Sequence, residues 1–260
     1  MKANSIFFGS ARKESIAALE ILRNDTNVLL CVGKKSNHDA LADYCNKNDI
    51  PCYFNQEFYA LLNEGMIEFK EETLLISFLF QNLIRKDILS VKEIFPINFH
   101  PAPLPYYKGC ACSCFYLMNK DLDKYGVTAH IVNERFDEGD ILKVKYFDAN
   151  ANFDNRKTFN QYTLEKMLEL LTEVITDWKL NDLHPYYQDL AAGKYFSKKD
   201  LDESKRINLT DPLDVINKKI EAFWFPPYHG ANIEINGECF TLVNEKILKE
   251  IATLYEKNNE

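Results

Sequence analysis

Residues Thr73–His100, TLLISFLFQNLIRKDILSVKEIFPINFH, decide the fold of this chain. Two continuous apolar runs, Thr73–Phe78 and Ile94–Asn98, flank a short segment, Ile84–Leu89, that we predict to be helical. Apolar runs without alternation are typical of strands buried on both faces, and two such strands joined by a helix run parallel in one sheet. This stretch therefore predicts a strand–helix–strand unit of a parallel sheet.

The same alternation of strands and helices extends to both sides of that unit. Further strands are predicted at Ser5–Gly9, Val28–Val32, Pro51–Phe54, Gly126–Val132 and Ile141–Tyr146. Apolar residues at helical spacing predict helices at Arg12–Leu22, Asp39–Asn48 and Asn160–Leu180. The expected architecture is an α/β sheet, mostly parallel, with helices covering both faces.

The composition changes after Leu183, which suggests a boundary between residues 1–183 and a smaller C-terminal part, residues 184–260. The segment from His184 is polar and aromatic, as connecting arms are. A helix is predicted at Asp211–Phe223. The Asn-Gly pair within Ala231–Val243 predicts a β-hairpin, because these two residues suit the turn of a two-residue hairpin loop.

The bulk composition excludes some classes of protein. With 260 residues and 46% hydrophobic content the chain can bury a core, and its net charge of −8 argues against nucleic acid as the main partner. The seven cysteines are best explained as reduced thiols of a cytoplasmic protein. The N-terminus lacks the pattern of a signal peptide, and no apolar run reaches the roughly 20 residues of a membrane span.

No metal site is expected. Cys110, Cys112 and Cys114 alternate along the chain, but this spacing differs from the CxxC pairs of structural zinc sites.

Asn98 and His100 stand at the carboxyl end of the predicted fifth strand, where open α/β sheets bind ligands. Because side chains alternate along a strand, both project to the same side. Acyl transfer to an amine needs a proton acceptor, a donor to the developing oxyanion and a group that orients them. Histidine, asparagine and a carboxylate such as Asp137 can supply these roles. The residue types alone equally allow a capping asparagine and a core histidine, and the spacing of Asp137 by itself favours a solvated acidic loop or a cation site.

A composite motif favours the first interpretation. It consists of Asn98-Phe99-His100-Pro101, Leu104-Pro105-x-Tyr107-x-Gly109, Gly126-Val127-Thr128-x-His130 and Asp137-x-Gly139-Asp140. In order, residue types and separations this motif resembles the formyltransferase superfamily that uses 10-formyltetrahydrofolate. The resemblance implies a Rossmann-like, doubly wound α/β fold with Asn98, His100 and Asp137 as catalytic residues. We expect His130 to support the site rather than to react.

The rest of the chain is similar to the sugar N-formyltransferases, which act on nucleotide-linked amino sugars. The similarity lies in Lys194–Asp202 and Phe223–Tyr228. It implies formylation of a dTDP-linked sugar, dTDP-4-amino-4,6-dideoxy-D-glucose or its 3-amino isomer, for O-antigen or lipopolysaccharide synthesis. It also implies a homodimer. Phe78-Leu79-Phe80 departs from the glycine-containing pterin loop of the superfamily and leaves the individual folate contacts open.

The resemblance further implies which residues bind the two substrates. Backbone groups of two facing segments would hold the folate: Phe80, Gln81, Asn82, Ile84, Phe136 and Asp137. The candidate contacts to the nucleotide sugar are Ser10, Arg12, Lys13, Tyr107, Lys108, Trp224 and Tyr228. Ser10 to Lys13 precede a helix N-terminus that suits a phosphate, although a solvated cap fits equally well. Trp224 could stack on a base or lie in the core beneath the hairpin.

Two other functions stay open at this point. A methionyl-tRNA formyltransferase should have a basic surface and a tRNA-binding C-terminal domain, which the acidic composition and the short tail disfavour. A folate-binding or folate-hydrolysing relative, without sugar transferase activity, would use the same catalytic residues with water in place of the amine.

Overall fold

The computed structural model of the protein describes residues 2–34, 39–148, 153 and 155–257. In chain order its elements are β1 (Asn4–Phe8), α1 (Lys13–Asp25), β2 (Asn27–Gly33), α2 (Ala40–Lys47), β3 (Cys52–Phe54), α3 (Asn55–Asn63), β4 (Thr73–Phe78), α4 (Lys86–Leu89), β5 (Ile94–His100), β6 (Tyr107–Gly109), α5 (Cys112–Asn119), β7 (Lys124–Ile131), β8 (Ile141–Asp148), α6 (Arg156–Lys179), β9 (Lys194–Phe196), α7 (Lys198–Ser204), α8 (Leu213–Phe223), β10 (Asn232–Ile235), β11 (Glu238–Thr241) and α9 (Glu245–Lys257).

The main sheet has seven strands in the order β3-β2-β1-β4-β5-β7-β8. The first five of these strands are parallel to their neighbours, and β7 is antiparallel to β5. The strand order reverses direction at β1, which is the signature of a doubly wound sheet. The predicted mostly parallel, Rossmann-like α/β fold is therefore confirmed.

Alternate residues of the central strands enter two separate cores. Phe7 and Ile76 belong to one hydrophobic cluster, whereas Ile6 and Leu75 belong to the other. Helices α1, α2 and α6 supply side chains to the first cluster, and α3 and α4 supply them to the second. Both faces of the sheet are thus covered, which explains why its strands are continuously apolar.

The chain divides into two compact units that are not continuous in sequence. The first unit comprises residues 1–108, 126–147 and 163–194, and the second comprises residues 109–125, 148–162 and 195–260. The first unit contains the main sheet. The assignment of residues 1–183 and 184–260 to a catalytic domain and a C-terminal arm stays a prediction.

The second unit contains the predicted hairpin. Strands β10 and β11 pair antiparallel around Asn236 and Gly237, whose φ angles are 52° and 82°. Two successive positive φ angles define the type I′ turn that the Asn-Gly pair predicts. Beneath the hairpin lies a small core that includes Ile207, Ile220 and Ala231.

Several elements differ from the predicted ones. Helix α6 begins at Arg156 rather than Asn160, because the side chain of Asn155 caps it by accepting a hydrogen bond from the Thr158 amide at 3.1 Å. Helix α3 follows β3 without a loop and has no counterpart in the prediction. Helix α5 covers most of the CxCxC stretch. None of the helices in the described part of the chain is both long and apolar enough to cross a bilayer.

Candidate active site

Strand β5 ends at His100, and β7 returns beside it in the opposite direction. In this ladder Asn98 pairs with His130, and His100 pairs with Thr128. Side chains of directly opposed residues in an antiparallel pair lie on the same face of the sheet, about 4.5–5.5 Å apart at Cβ. The register therefore places the imidazole of His130 beside the amide of Asn98.

The hydrogen bonds of His130 determine how Asn98 is oriented. His130 Nδ1 lies 2.9 Å from the carbonyl oxygen of Ile131, so Nδ1 donates its proton there. In the neutral ring Nε2 then carries a lone pair, and Asn98 Nδ2 donates to it at 3.0 Å. Asn98 retains a second amide hydrogen that can be donated to a ligand oxygen.

His100 is buried and is held at both ring nitrogens. Its Nε2 donates to the carbonyl oxygen of Tyr107 at 2.8 Å, and its Nδ1 lies 3.4 Å from Oδ1 of Asp137. Burial lowers the pKa of His100 below its ordinary value of 6.5, against the opposing influence of the Asp137 carboxylate. Because Nε2 keeps its proton for Tyr107, Nδ1 bears the lone pair of the neutral ring.

One carboxylate oxygen lies near both imidazoles. Oδ1 of Asp137 is 3.4 Å from His100 Nδ1 and 3.6 Å from His130 Nε2. Asp137 is buried, and its φ of 58° puts its backbone in the left-handed region. The structure thus brings Asn98, His100 and Asp137 together, with His130 between the amide and the carboxylate. The contact between Asn98 and His130 could not be foreseen without knowing the strand direction.

The loop that carries Asp137 packs tightly on the end of β7. A Cβ added at Gly139 would overlap the carbonyl oxygen of Ile131 and approach His130 Nδ1 to 3.6 Å. Position 139 requires glycine because the backbone of Ile131 leaves no room for a Cβ atom. Its φ angle is not positive, so the conformation of a tight turn is not the reason.

We expect Gly139→Ala to displace this loop, because the atom that the methyl group meets is backbone and cannot rotate away. Overpacking of this kind costs about 1–3 kcal/mol of unfolding free energy, which denaturant unfolding would measure. Catalytic turnover should fall with it, since Asp137 moves. Gly33→Ala is the matched control, because its added Cβ would make only an ordinary contact with Leu41, at 3.4 Å. Equal stability losses in the two variants would contradict the steric argument.

Two buried side chains hold the surrounding loops. Thr128 Oγ1 donates to the Ala102 carbonyl at 2.8 Å and accepts from the Leu104 amide at 3.0 Å, which fixes the turn after His100. Gln188 contacts the loop of Asp137, although its segment was predicted to be a connecting arm. Thr128 belongs to the composite motif, whereas no sequence pattern pointed to Gln188.

The residues predicted to bind folate lie in two loops. Residues 80–84 follow β4, and Phe136 and Asp137 lie in the loop after β7. Phe80 packs edge-on against Phe8, with ring centroids 5.2 Å apart, and Ile84 is buried in the second core. Gln81 and Phe136 are exposed. Within the described structure, no hydrogen bond engages the peptide groups of residues 80–84. Such groups need a partner from solvent or a ligand, so this loop is suited to recognition through its backbone.

The residues predicted to bind the sugar nucleotide occupy different environments. Ser10, Arg12 and Lys13 lie at the N-terminus of α1, where the Ser10 amide donates to Ser15 Oγ at 2.9 Å. Tyr107 is buried and contributes its carbonyl to His100, while the ammonium group of the buried Lys108 donates to the Leu190 carbonyl at 3.0 Å.

The remaining two predicted contacts belong to the second unit. Trp224 packs against the core beneath the hairpin, which is the structural alternative considered from its sequence. Tyr228 is 59% exposed and lies parallel to the ring of Phe225. Among the described residues, no group of three or more His, Cys, Asp or Glu side chains is arranged to hold a metal ion.

Comparison with known families bears on the segment that contains this cluster. The model of the formyl transferase family matches residues 54–175. This segment belongs to that family. The formyl transferase segment includes Asn98, His100, His130 and Asp137, and it ends within α6.

Two curated relatives resemble most of the chain. The methionyl-tRNA formyltransferase of Ehrlichia ruminantium is 24% identical over 243 residues, which cover 88% of this chain and 78% of the relative. The GDP-perosamine N-formyltransferase of Brucella melitensis is 26% identical over 181 residues, which cover 68% of this chain and 67% of the relative. Formyl transferases with different acceptors are thus similar to this chain at comparable identity.

Solved structures share the fold of this chain over most of its length. A 4-N formyltransferase from Francisella tularensis has a TM-score of 0.75 at 21% identity, covering 93% of this chain and 97% of its own. The N-formyltransferase of Helicobacter canadensis, solved with folinic acid and dTDP-3-aminofucose, has a TM-score of 0.69 at 21% identity, covering 90% and 85%. At these identities the likeness establishes the fold.

Proposed function

We propose that this protein transfers a formyl group from 10-formyltetrahydrofolate to the amino group of a nucleotide-linked sugar. The sugar we favour is dTDP-4-amino-4,6-dideoxy-D-glucose, in the synthesis of an O-antigen or another lipopolysaccharide glycan. The observation that carries the proposal is the cluster of Asn98, His100 and Asp137 inside the segment of the formyl transferase family. We further propose that the enzyme acts in the cytoplasm as a homodimer and needs no metal.

The choice of a sugar acceptor rests on the neighbours of this chain. The Brucella relative is named for GDP-perosamine, and the Helicobacter structure holds folinic acid with dTDP-3-aminofucose. These findings support an amino sugar as the acceptor. We choose dTDP and the 4-amino position because residues 223–228 resemble the sugar N-formyltransferases that act on such substrates.

The geometry supports a role for each proposed catalytic residue. His100 is neutral at pH 7 because burial lowers its pKa, so its Nδ1 can take a proton from the attacking amine. The Asp137 carboxylate then stabilises the imidazolium, and Tyr107 keeps the ring in place through Nε2. As the bond from the formyl carbon to the folate nitrogen breaks, the imidazolium returns its proton to that nitrogen. Asn98 donates its second amide hydrogen to the oxygen on which negative charge develops. His130 is a positioning residue, because it fixes the amide of Asn98.

The folate supplies the formyl group when it is bound. The backbone of residues 80–84 would hold its pterin, because these peptide groups lack partners among the described residues and form one continuous strip. Phe136 and the backbone of Asp137 would complete the contacts. The side chains of Phe80 and Ile84 pack inward and serve to position this strip.

The pH dependence follows from the pKa of His100. A histidine whose folded-state pKa lies below 6.5 stays neutral to lower pH than a free one, and the neutral form is the active base. We therefore expect the acid limb of the kcat/KM profile to lie below pH 6.5. Steady-state rates between pH 5 and pH 9 would measure it. An acid limb above pH 6.5 would contradict the assignment of His100 as the base.

The methionyl-tRNA reaction is the second candidate, since the Ehrlichia relative covers most of the chain. The net charge of −8 opposes it, because tRNA binding relies on neutralising phosphates. Hydrolysis of the folate, with water in place of the amine, is the third.

One set of assays separates the three functions. The protein is incubated with 10-formyltetrahydrofolate and a panel of dTDP- and GDP-linked 3-amino and 4-amino sugars, with methionyl-tRNA, or with no acceptor. Formylation of a sugar amine supports the proposal. Formylation of methionyl-tRNA alone, or formate release that no acceptor alters, would overturn it.

A further inference from the structure

Gln188 lies in the segment after α6 and is 2% exposed. Its Nε2 donates to the Asp137 carbonyl at 3.0 Å and to the Gly139 carbonyl at 2.5 Å. Both carbonyls belong to the loop that carries the carboxylate of the active site. The side-chain amide of Gln188 therefore links the carbonyls of Asp137 and Gly139, which precede it by about fifty residues in the sequence.

The orientation of the Gln188 amide follows from its partners. Two carbonyl oxygens can only accept, so the nitrogen faces the loop and both of its hydrogens are used. Its oxygen, Oε1, is buried and has no hydrogen-bond partner in the described structure. Leaving a buried polar atom without a partner costs about 1–3 kcal/mol of folding free energy. The orientation that gives both hydrogens of the Gln188 nitrogen a partner therefore leaves its oxygen with this cost.

The loop needs such support because of its own backbone. Asp137 adopts a φ of 58°, which an L-residue other than glycine seldom does without external restraint. The carbonyl of Asp137 is one of the two groups that Gln188 holds. A bond to this carbonyl restrains the peptide plane after Asp137 and so holds the backbone from which the carboxylate projects.

We propose that Gln188 is a positioning residue for catalysis, which holds the Asp137 carboxylate against His100 through the carbonyls of Asp137 and Gly139. The inference rests on the proposed formyl transfer for its kinetic consequence. Its structural content, the link from Gln188 to His100 by way of Asp137, stands on distances alone.

Gln188→Met and Gln188→Glu test this role. Methionine preserves the length of the side chain and removes the donor, whereas glutamate places a carboxylate against two carbonyl oxygens. We expect both to lower kcat by about 10²-fold with little change in KM, since a displacement of about 1 Å in a catalytic group has an effect of that size. In the Asp137→Asn background, Gln188→Met should lower kcat little further, because both changes act on the same group.

Thr26→Val is the control for a purely structural effect. Thr26 is buried, its hydroxyl donates to the Leu22 carbonyl at 2.7 Å, and the residue touches no part of the site. This variant should lose stability and keep kcat. Two results would overturn the proposal. One is wild-type kcat in both Gln188 variants. The other is a double variant, Gln188→Met with Asp137→Asn, whose loss of kcat equals the product of the two single losses.

A second measurement needs no turnover. The imidazole signals of His100 are assigned by their absence from His100→Gln, and its pKa is followed by NMR. The Asp137 carboxylate raises this pKa, so Gln188→Met should lower it further. A lowered pKa in a protein whose wild type formylates no amine would support the Gln188 link and refute the proposed function. An unchanged pKa would refute the link.

Discussion

His100→Ala is expected to lower kcat of formyl transfer by about 10²–10⁴-fold, the range that one general base supplies. The neutral ring presents its Nδ1 lone pair beside Asp137, whereas Nε2 of the neighbouring His130 is engaged by the Asn98 amide. Discontinuous assays with 10-formyltetrahydrofolate and the preferred amino sugar would measure the loss. The effect should persist at every pH tested.

His100→Gln separates the chemical role of His100 from its packing role. Its terminal amide can still donate to the Tyr107 carbonyl, as Nε2 does, but it places no base where Nδ1 stands. Activity as low as that of His100→Ala is therefore expected together with better retained stability. His184→Ala is the matched control, because His184 is exposed and its ion pair is with Asp182, away from Asp137. Near-wild-type turnover in His100→Gln would refute the assignment of the base.

Asp137→Asn is expected to lower kcat by a similar factor, about 10²–10⁴-fold. The variant keeps the shape of the side chain and removes the charge that stabilises the imidazolium. It should also move the acid limb of the kcat/KM profile to lower pH, because the carboxylate raises the pKa of His100. Residual activity measured across pH would reveal both effects.

Asp140→Asn provides the matched control for this change. Asp140 lies in the same loop, is exposed and contributes its backbone carbonyl to the Ile131 amide. We expect wild-type kcat and an unchanged pH profile. If the two variants behaved alike, the charge of Asp137 would have no special role.

The fold could be predicted from the sequence because its signals are local. Continuous apolar runs and helical spacing suffice for a covered parallel sheet, and the Asn236-Gly237 pair suffices for a hairpin turn. The start of α6 was misplaced because its cap, Asn155, lies before the apolar pattern begins. The missing α3 has a similar cause, since it starts directly at the end of a strand.

The site could be predicted only in part. Asn98 and His100 share a face because they alternate, which the sequence shows directly. The direction of β7 relative to β5 is a tertiary property, and it decides that His130 meets Asn98. Gln188 could not be found, because a lone glutamine in a polar segment gives no signal of burial. Its function depends on which carbonyls it meets.

The antiparallel ladder between β5 and β7 also limits how the gene can change. Insertions or deletions between α5 and β7, at residues 120–123, leave both the pairing of Asn98 with His130 and the contact of Tyr107 with His100 intact. Inserting a single residue inside either strand would move every later side chain of that strand to the opposite face of the sheet. Side chains of the candidate site would then point into the hydrophobic interior. The spacing within these two strands should therefore stay invariant, while the loops outside them can vary in length.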